Sequence, residues 1–372
     1  MSLIITCEVG GNAIPPWLVP HLAQIGEEKK RKSKTRKKKS KRKTTSKRSA
    51  KISSRSALQS TRANKTHSQL GSLPKALHAD RDTLGNQAIK EDLPTPVEVT
   101  SNSQTTSHSA ADSKRTLVAH QRNLATTKGW KLQKNLDHNE SQKIISLVPE
   151  TIEPALQQLE IDPFALEITH KIASSLDASS FYHRHPLEMV DVTKELNQRR
   201  LFGGPFTRLQ KSAQNRLLEE VHQSYFEDLS SVIESKLKSD SFVIHFSVRT
   251  FPLKSKGTVR RTDVGFLYDP SRQDEVDLCS DLADDMWYRA PMLKVRRNYP
   301  RRGSEVGMTR RLRNRFSGSD YLGIELWLNR AWTGRAVSLR EEALRAMIQS
   351  MASVTGVSEH PLDYDDFYDD AA

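Results

Sequence analysis

Phe242-Val243-Ile244-His245-Phe246-Ser247-Val248-Arg249 decides the fold class. Its even positions are all apolar, while His245, Ser247 and Arg249 fall on the opposite side of an extended chain, whose side chains alternate between faces. Such a strand covers a core with one face and presents polar groups on the other. The apolar opening Leu3-Ile4-Ile5-Thr6-Cys7 reads as another strand, and more are expected at 263–268, 292–297 and 321–328. Met189-Val190-Asp191-Val192-Thr193-Lys194 reads as a further apolar strand ending in charge. Apolar residues recur at helical spacing from Ala165 to Leu176 and from Leu217 to Leu237. Ser338 with Glu341 has the spacing of a capping box, opening a helix with Ala343, Leu344, Met347, Ile348 and Met351 on its inner stripe. Strands interleaved with helices predict an α/β sheet with helices on both faces, a three-layer α/β/α core.

The net charge of +13 over 372 residues is an average that hides its source. Residues 29–55 hold sixteen Lys and Arg and no acidic residue, and the rest of the chain holds 42 basic against 45 acidic residues. Residues 1–24 therefore read as the first strand and a Gly-rich turn. Residues 25–150, in which Trp130 is the only aromatic residue, read as a low-complexity basic insertion expected to be disordered. Residues 151–356 read as the remainder of the core, and 357–372 as an acidic tail. Cys7 and Cys279 cannot build a disulfide framework, which points to a reducing, cytoplasmic setting. No apolar run is long enough to span a bilayer, so no membrane partner is expected.

No phosphate-binding glycine loop, nucleophile elbow or His-Glu-x-x-His motif is present. The polar residues at strand ends are the candidates, because open α/β sheets place their sites there. Cys7-Glu8-Val9-Gly10-Gly11-Asn12 follows the first strand, and its paired glycines permit either close approach to a ligand or an ordinary tight turn. Glu325 sits inside Tyr321-Leu322-Gly323-Ile324-Glu325-Leu326, and burial of a carboxylate favours its protonated form unless it is paired. That suits a general base, or else marks a structural ion pair with a neighbouring arginine. Arg296, Arg297, Arg301, Arg302, Arg310, Arg311, Arg313 and Arg315 cluster in sequence around Asn298. Their planar forks match carboxylates, and equally suit phosphate contacts or a solvated face. Asp191 and Lys194 end the remaining strand.

In order along the chain, these segments resemble the N-formylglutamate amidohydrolase family. Thr6-Cys7-Glu8-Val9-Gly10-Gly11-Asn12-Ala13-Ile14-Pro15 is similar to its opening motif, and Asp162-Pro163-Phe164-Ala165-Leu166 to its next helix start. Val190-Asp191-Val192, His245-Phe246-Ser247-Val248 and Asp263-Val264-Gly265 follow in order, as do Val295-Arg296-Arg297-Asn298-Tyr299-Pro300 and Tyr321 to Leu326. The resemblance implies a phosphorylase/hydrolase-like fold related to zinc carboxypeptidases, and hydrolysis of the amide of an N-acylated acidic amino acid. It further implies Glu325 as the catalytic base, Asn12, Asp191, Arg297, Asn298 and Arg313 as substrate-binding residues, and a zinc ion near Glu8 and Asp162.

Three positions where such members carry histidine are Gln158, Val9 and Arg249 here. Valine offers no donor, and arginine is a permanent cation that repels a metal. Two functions therefore stand side by side. One is a divergent amide hydrolase. The other is a catalytically inactive member that acts as a binding protein, with the arm 29–55 contacting nucleic acid or another polyanion. The geometry around Glu8, Arg249 and Glu325 separates them: an ion pair from Arg249 to Glu325 would neutralise the base.

Overall fold

The computed structural model describes residues 1–28, 139, 142–143, 152–159 and 161–360. Most of the expected basic insertion and of the acidic tail lies outside those residues. The first segment continues past residue 24 as a helical run from 19 to 28, whose Leu22 and Ile25 are buried.

Six strands form one sheet in the order β2-β1-β3-β8-β6-β7. They are β1 (Ser2–Cys7), β2 (Ser179–Tyr182), β3 (Val243–Phe251), β6 (Val264–Leu267), β7 (Val295–Arg297) and β8 (Tyr321–Asn329). β1 is parallel to β2 and β3, and β3 is parallel to β8. β6 reverses direction against β8 and runs parallel to the edge strand β7. The sheet is therefore mainly parallel, with its polarity inverted at one end. A small hairpin of β4 (Lys254–Ser255) and β5 (Thr258–Val259) stands apart from it.

Beyond the run 19–28, seven α-helices among the described residues accompany these strands: α1 (Glu153–Gln157), α2 (Pro163–Ser175), α3 (Lys211–Leu217), α4 (Ser224–Leu237), α5 (Gln273–Arg289), α6 (Met308–Arg315) and α7 (Val337–Thr355). The alternation in the strand sequences sorts them into layers. Ile244, Phe246 and Val248 of β3, with Leu322, Ile324, Leu326 and Leu328 of β8, pack into one core with residues of α2, α5 and α7. The other face carries Ile4, Val243 and Tyr321 against α4 and α6. No described helix is long and apolar enough to cross a membrane.

α3 and α4 are one rod interrupted by a π turn, Leu218–Gln223. Before and within the turn, Ala213, Leu217 and Val221 fill a cluster with Ile14, Leu18 and Phe206. After it, Tyr225, Leu229, Val232 and Ile233 fill the different cluster under β1 and β3. The wider turn re-phases the apolar stripe so that one helix serves two cores.

Three expectations are corrected. Met189 to Lys194 is a run of turns, not a strand: Asp191 N–H donates to Leu201 O, and the apolar residues fill two clusters instead of a sheet face. The capping box is not formed, because α7 starts at Val337 after Ala336 and no side chain caps it. The strand expected at 292–297 shortens to Val295–Arg297 at the edge of the sheet. β2, only four residues long, and α5 carried too weak a pattern to be expected from sequence.

Candidate functional site

Parallel pairing sets polar side chains in rows across the face of the sheet beneath α4 and α6. Opposed residues of parallel neighbours point the same way, so Thr6, Ser247 and Glu325 form one row and Arg249 and Trp327 part of the next. Glu8 extends β1 into that second row beside His183, whose backbone N–H donates to Cys7 O at 2.9 Å. The site thus lies at the carboxyl rim of β1, β3 and β8, where such sheets bind ligands.

Glu325 is held from every side. Arg301 donates to both carboxylate oxygens, at 2.7 and 2.5 Å. Thr309 Oγ1 donates to Oε1 at 3.1 Å, and Trp327 Nε1 donates to Oε2 at 2.8 Å. Gly307 makes room for this clamp: a Cβ there would stand 2.4 Å from Glu325 Oε1 and 3.0 Å from the Arg301 guanidinium. The arginine that meets Glu325 is therefore Arg301, not Arg249. Arg249 stacks over the Trp327 ring at 5.5 Å and faces Glu8 electrostatically.

Glu8 is fully buried and, among the described residues, has no formal cation in hydrogen-bond contact. Thr6 Oγ1 donates to Oε1 and Ser247 Oγ to Oε2, both at 2.6 Å. Burial pushes its carboxyl above the ordinary value, while Arg249 and the two hydroxyls oppose that shift. One row further in, His245 bonds Thr6 through Nε2 at 2.8 Å and Tyr321 through Nδ1 at 2.6 Å. Burial, helped by the Arg313 charge, lowers its pKa to about 3, so it is a neutral structural element. Two groups that sequence reasoning passed over complete the rim. His183 packs edge-on against Tyr225 with ring centroids 5.0 Å apart, and burial keeps it neutral. Both His183 ring nitrogens and the Tyr225 hydroxyl lack partners among the described residues.

The other sequence candidates disperse. Asp162 caps α2, accepting from Ala165 N–H at 3.0 Å and from the Thr250 hydroxyl, with Arg330 at 3.9 Å. Asp191 accepts from the Thr193 N–H and hydroxyl and pairs with Lys194 at 2.9 Å. Arg313 is buried in an ion pair with Glu275 at 2.8 Å and braces Gly303 O and Gly323 O. Asn298 Oδ1 accepts from Tyr268 and Gly303 N–H, tying its own loop. Arg297 lies on the edge strand and donates to Ser280 of α5. Asn12 is half-buried, while Gln158, just past the end of α1, is exposed. Gly11 is required by a backbone rather than a ligand, since a Cβ there would lie 2.1 Å from the Arg184 carbonyl carbon.

Asp162 and Asp191 do share one cavity of about 260 Å³, with Val9, Glu188, Lys194, Arg200 and Arg330 among its lining residues. Its lining mixes both signs of charge. Arg200 holds a left-handed backbone at φ 61°, a conformation that costs a non-glycine residue energy and recurs at ligand-binding loops.

A zinc ion, which the sequence resemblance implies, takes about three or four neutral imidazole, thiolate or carboxylate donors. The residues present do not fit it. Both Glu8 oxygens accept hydroxyls, both Asp162 oxygens are engaged, and Val9 and Arg249 stand where donors are implied. Among the described residues no three His, Cys, Asp or Glu side chains converge as a metal site.

No family model matches the chain, and no curated protein does. Among solved structures, a gene product of Agrobacterium tumefaciens is 18% identical, covering 56% of this chain and 83% of its own, with a TM-score of 0.44. An N-formylglutamate amidohydrolase from Ralstonia eutropha JMP134 is 12% identical, covering 53% of this chain and 86% of its own, with a TM-score of 0.37. Scores at this level say nothing of activity.

Proposed function

We propose that the protein is an amidohydrolase-like binding protein, which takes a small N-acylated acidic amino acid into the cavity beside β1 without hydrolysing it. The observation that carries this reading is the saturation of Glu325. Four donor contacts from Arg301, Thr309 and Trp327 occupy the lone pairs that a general base needs for a water or an amide. On the ligand side, Lys194, Arg200 and Arg330 would face its carboxylates, and Asp191 and Glu188 its amide N–H. On this reading the scaffold belongs with the zinc-carboxypeptidase-related hydrolases by ancestry and has exchanged its ion for arginine. Its buried thiols, Cys7 and Cys279, suit a cytoplasmic setting.

The test is calorimetric titration of the full chain with N-formylglutamate, run beside an assay for released formate with and without added zinc. Saturable binding without formate is the expected result. Zinc-dependent formate release that disappears in Glu325→Gln would establish the hydrolase instead. Neither binding nor release would end the ligand assignment.

A further inference from the structure

The arginines at the β7 edge differ from several others on the surface. Arg216, Arg289, Arg315 and Arg335 each meet a carboxylate within 3 Å. Residues 241–262 and 290–304, by contrast, hold ten lysines and arginines and no Asp or Glu, and of these ten Arg301 turns inward to Glu325. The sheet brings the two segments together: Phe251 at the end of β3 meets Tyr299 after β7, with ring centroids 5.7 Å apart and planes at 79°. A guanidinium stacks on each ring. Arg260 lies 5.8 Å over Phe251, and Arg296 lies 5.6 Å over Tyr299. Lys254, Lys256, Arg261 and Arg302 are exposed on the same two segments, and none of these six has a carboxylate partner among the described residues. The carboxylates next along the chain are engaged elsewhere: Asp263 with Arg335 and Trp332, Asp285 with Arg289, and Glu305 with the Arg302 N–H.

An aromatic platform fixes a guanidinium by its face and leaves the N–H edges pointing outward. Two such platforms beside unneutralised basic side chains match a chain of phosphates, in which each bound cation releases counterions. A single small anion does not need so wide a field. We propose that this surface, built from the 251–261 segment and the 296–302 loop, binds the phosphodiester backbone of a nucleic acid, separately from the arm 29–55 and from the small-ligand cavity.

The experiment measures anisotropy of a fluorescent single-stranded oligonucleotide of about 20 nucleotides, over a salt series, with the full chain and with Arg260→Gln/Arg261→Gln/Arg296→Gln/Arg302→Gln. Each lost phosphate contact flattens the slope of log affinity against log salt by about 0.7, so the fourfold variant should flatten it by roughly 3 and bind on the order of tenfold or more weakly. Unchanged affinity and slope would hand all binding to residues 29–55 and overturn the proposal, as would a parent chain that does not bind. Should the fourfold variant melt early, Arg296→Gln alone, on the exposed edge strand, must still flatten the slope by about 0.7. Heparin bound as tightly as the oligonucleotide, and weakened equally by the substitutions, would reject nucleic acid as the partner.

Discussion

Glu8 and Glu325 are both buried at the rim of one sheet, on the same face and only two strands apart, yet they are held by opposite means. Glu325 sits under a guanidinium, an indole N–H and a hydroxyl. Glu8 has two hydroxyls and, among the described residues, no hydrogen-bonded cation. A buried carboxylate is tolerated when its charge is paired or hydrogen-bonded, and this protein leans on a different means for each. The first makes a fixed ion pair and removes Glu325 from chemistry. The second leaves Glu8 as the rim carboxylate that titrates above the ordinary range.

The sharpest way to break that contrast is Arg301→Leu. It strands the Glu325 charge in a site 1% exposed, and removing one partner of a buried pair costs about 3–5 kcal/mol. Because Arg301 is itself 19% exposed, the low end, about 3 kcal/mol, is expected in urea unfolding. Arg301→Leu/Glu325→Leu should regain most of it, and a double variant as unstable as the single would show that the guanidinium matters for packing rather than charge.

Next in size is His245→Phe, which leaves Thr6 and Tyr321 without their imidazole partner and should cost about 2 kcal/mol at pH 7. Its pH signature is equally specific. The native pKa of about 3 lies below the ordinary 6.5, so the unfolded chain takes up the proton first. Stability contributed by this histidine is complete above about pH 6.5 and is lost as pH falls towards 3, and the variant should lack that part of the acid slope.

Asp162→Ala removes the α2 cap and should cost about 1 kcal/mol, measurable as a lowered melting temperature. Asp162→Asn, which can still cap, should recover much of it.

The smallest effect at neutral pH, about 1 kcal/mol or less, is expected of Glu8→Gln. Its value lies in the pH dependence. The native carboxyl titrates above the unfolded one, so its contribution is complete below the ordinary carboxylate range and is lost as pH rises through the raised value. Stability curves of parent and variant should therefore diverge as pH rises from 4.5. Parallel curves would mean that Glu8 is held as firmly as Glu325.

The sequence made the sheet readable where alternation was strict. In β8 one face is wholly apolar, and in β3 it is apolar from Ile244 to Val248, a pattern that a helix cannot satisfy. It failed at Met189 to Lys194, because an apolar run bounded by charge looks the same whether it pairs with a strand or plugs a cluster. At the site, Glu325 stood out as a carboxylate among apolar neighbours, but its partner lies 24 residues away in a loop of interchangeable arginines. Only the close approach demanded at Gly307 distinguishes Arg301 from Arg297 or Arg302, and that is a fact of three dimensions. His183 was hidden for a simpler reason: the four-residue strand before it has no pattern long enough to read.

The π turn between α3 and α4 makes the chain intolerant of a particular length change. Deleting one residue within 218–223 would restore an ordinary helix and rotate everything after it by about 100°. Tyr225 would swing away from His183 and Glu8, and Leu229 and Ile233 would leave the core they fill, although no side chain in contact with the rim had been altered. The count of residues in that turn works as a gear tooth, setting the phase in which the covering helix meshes with the rim of the sheet.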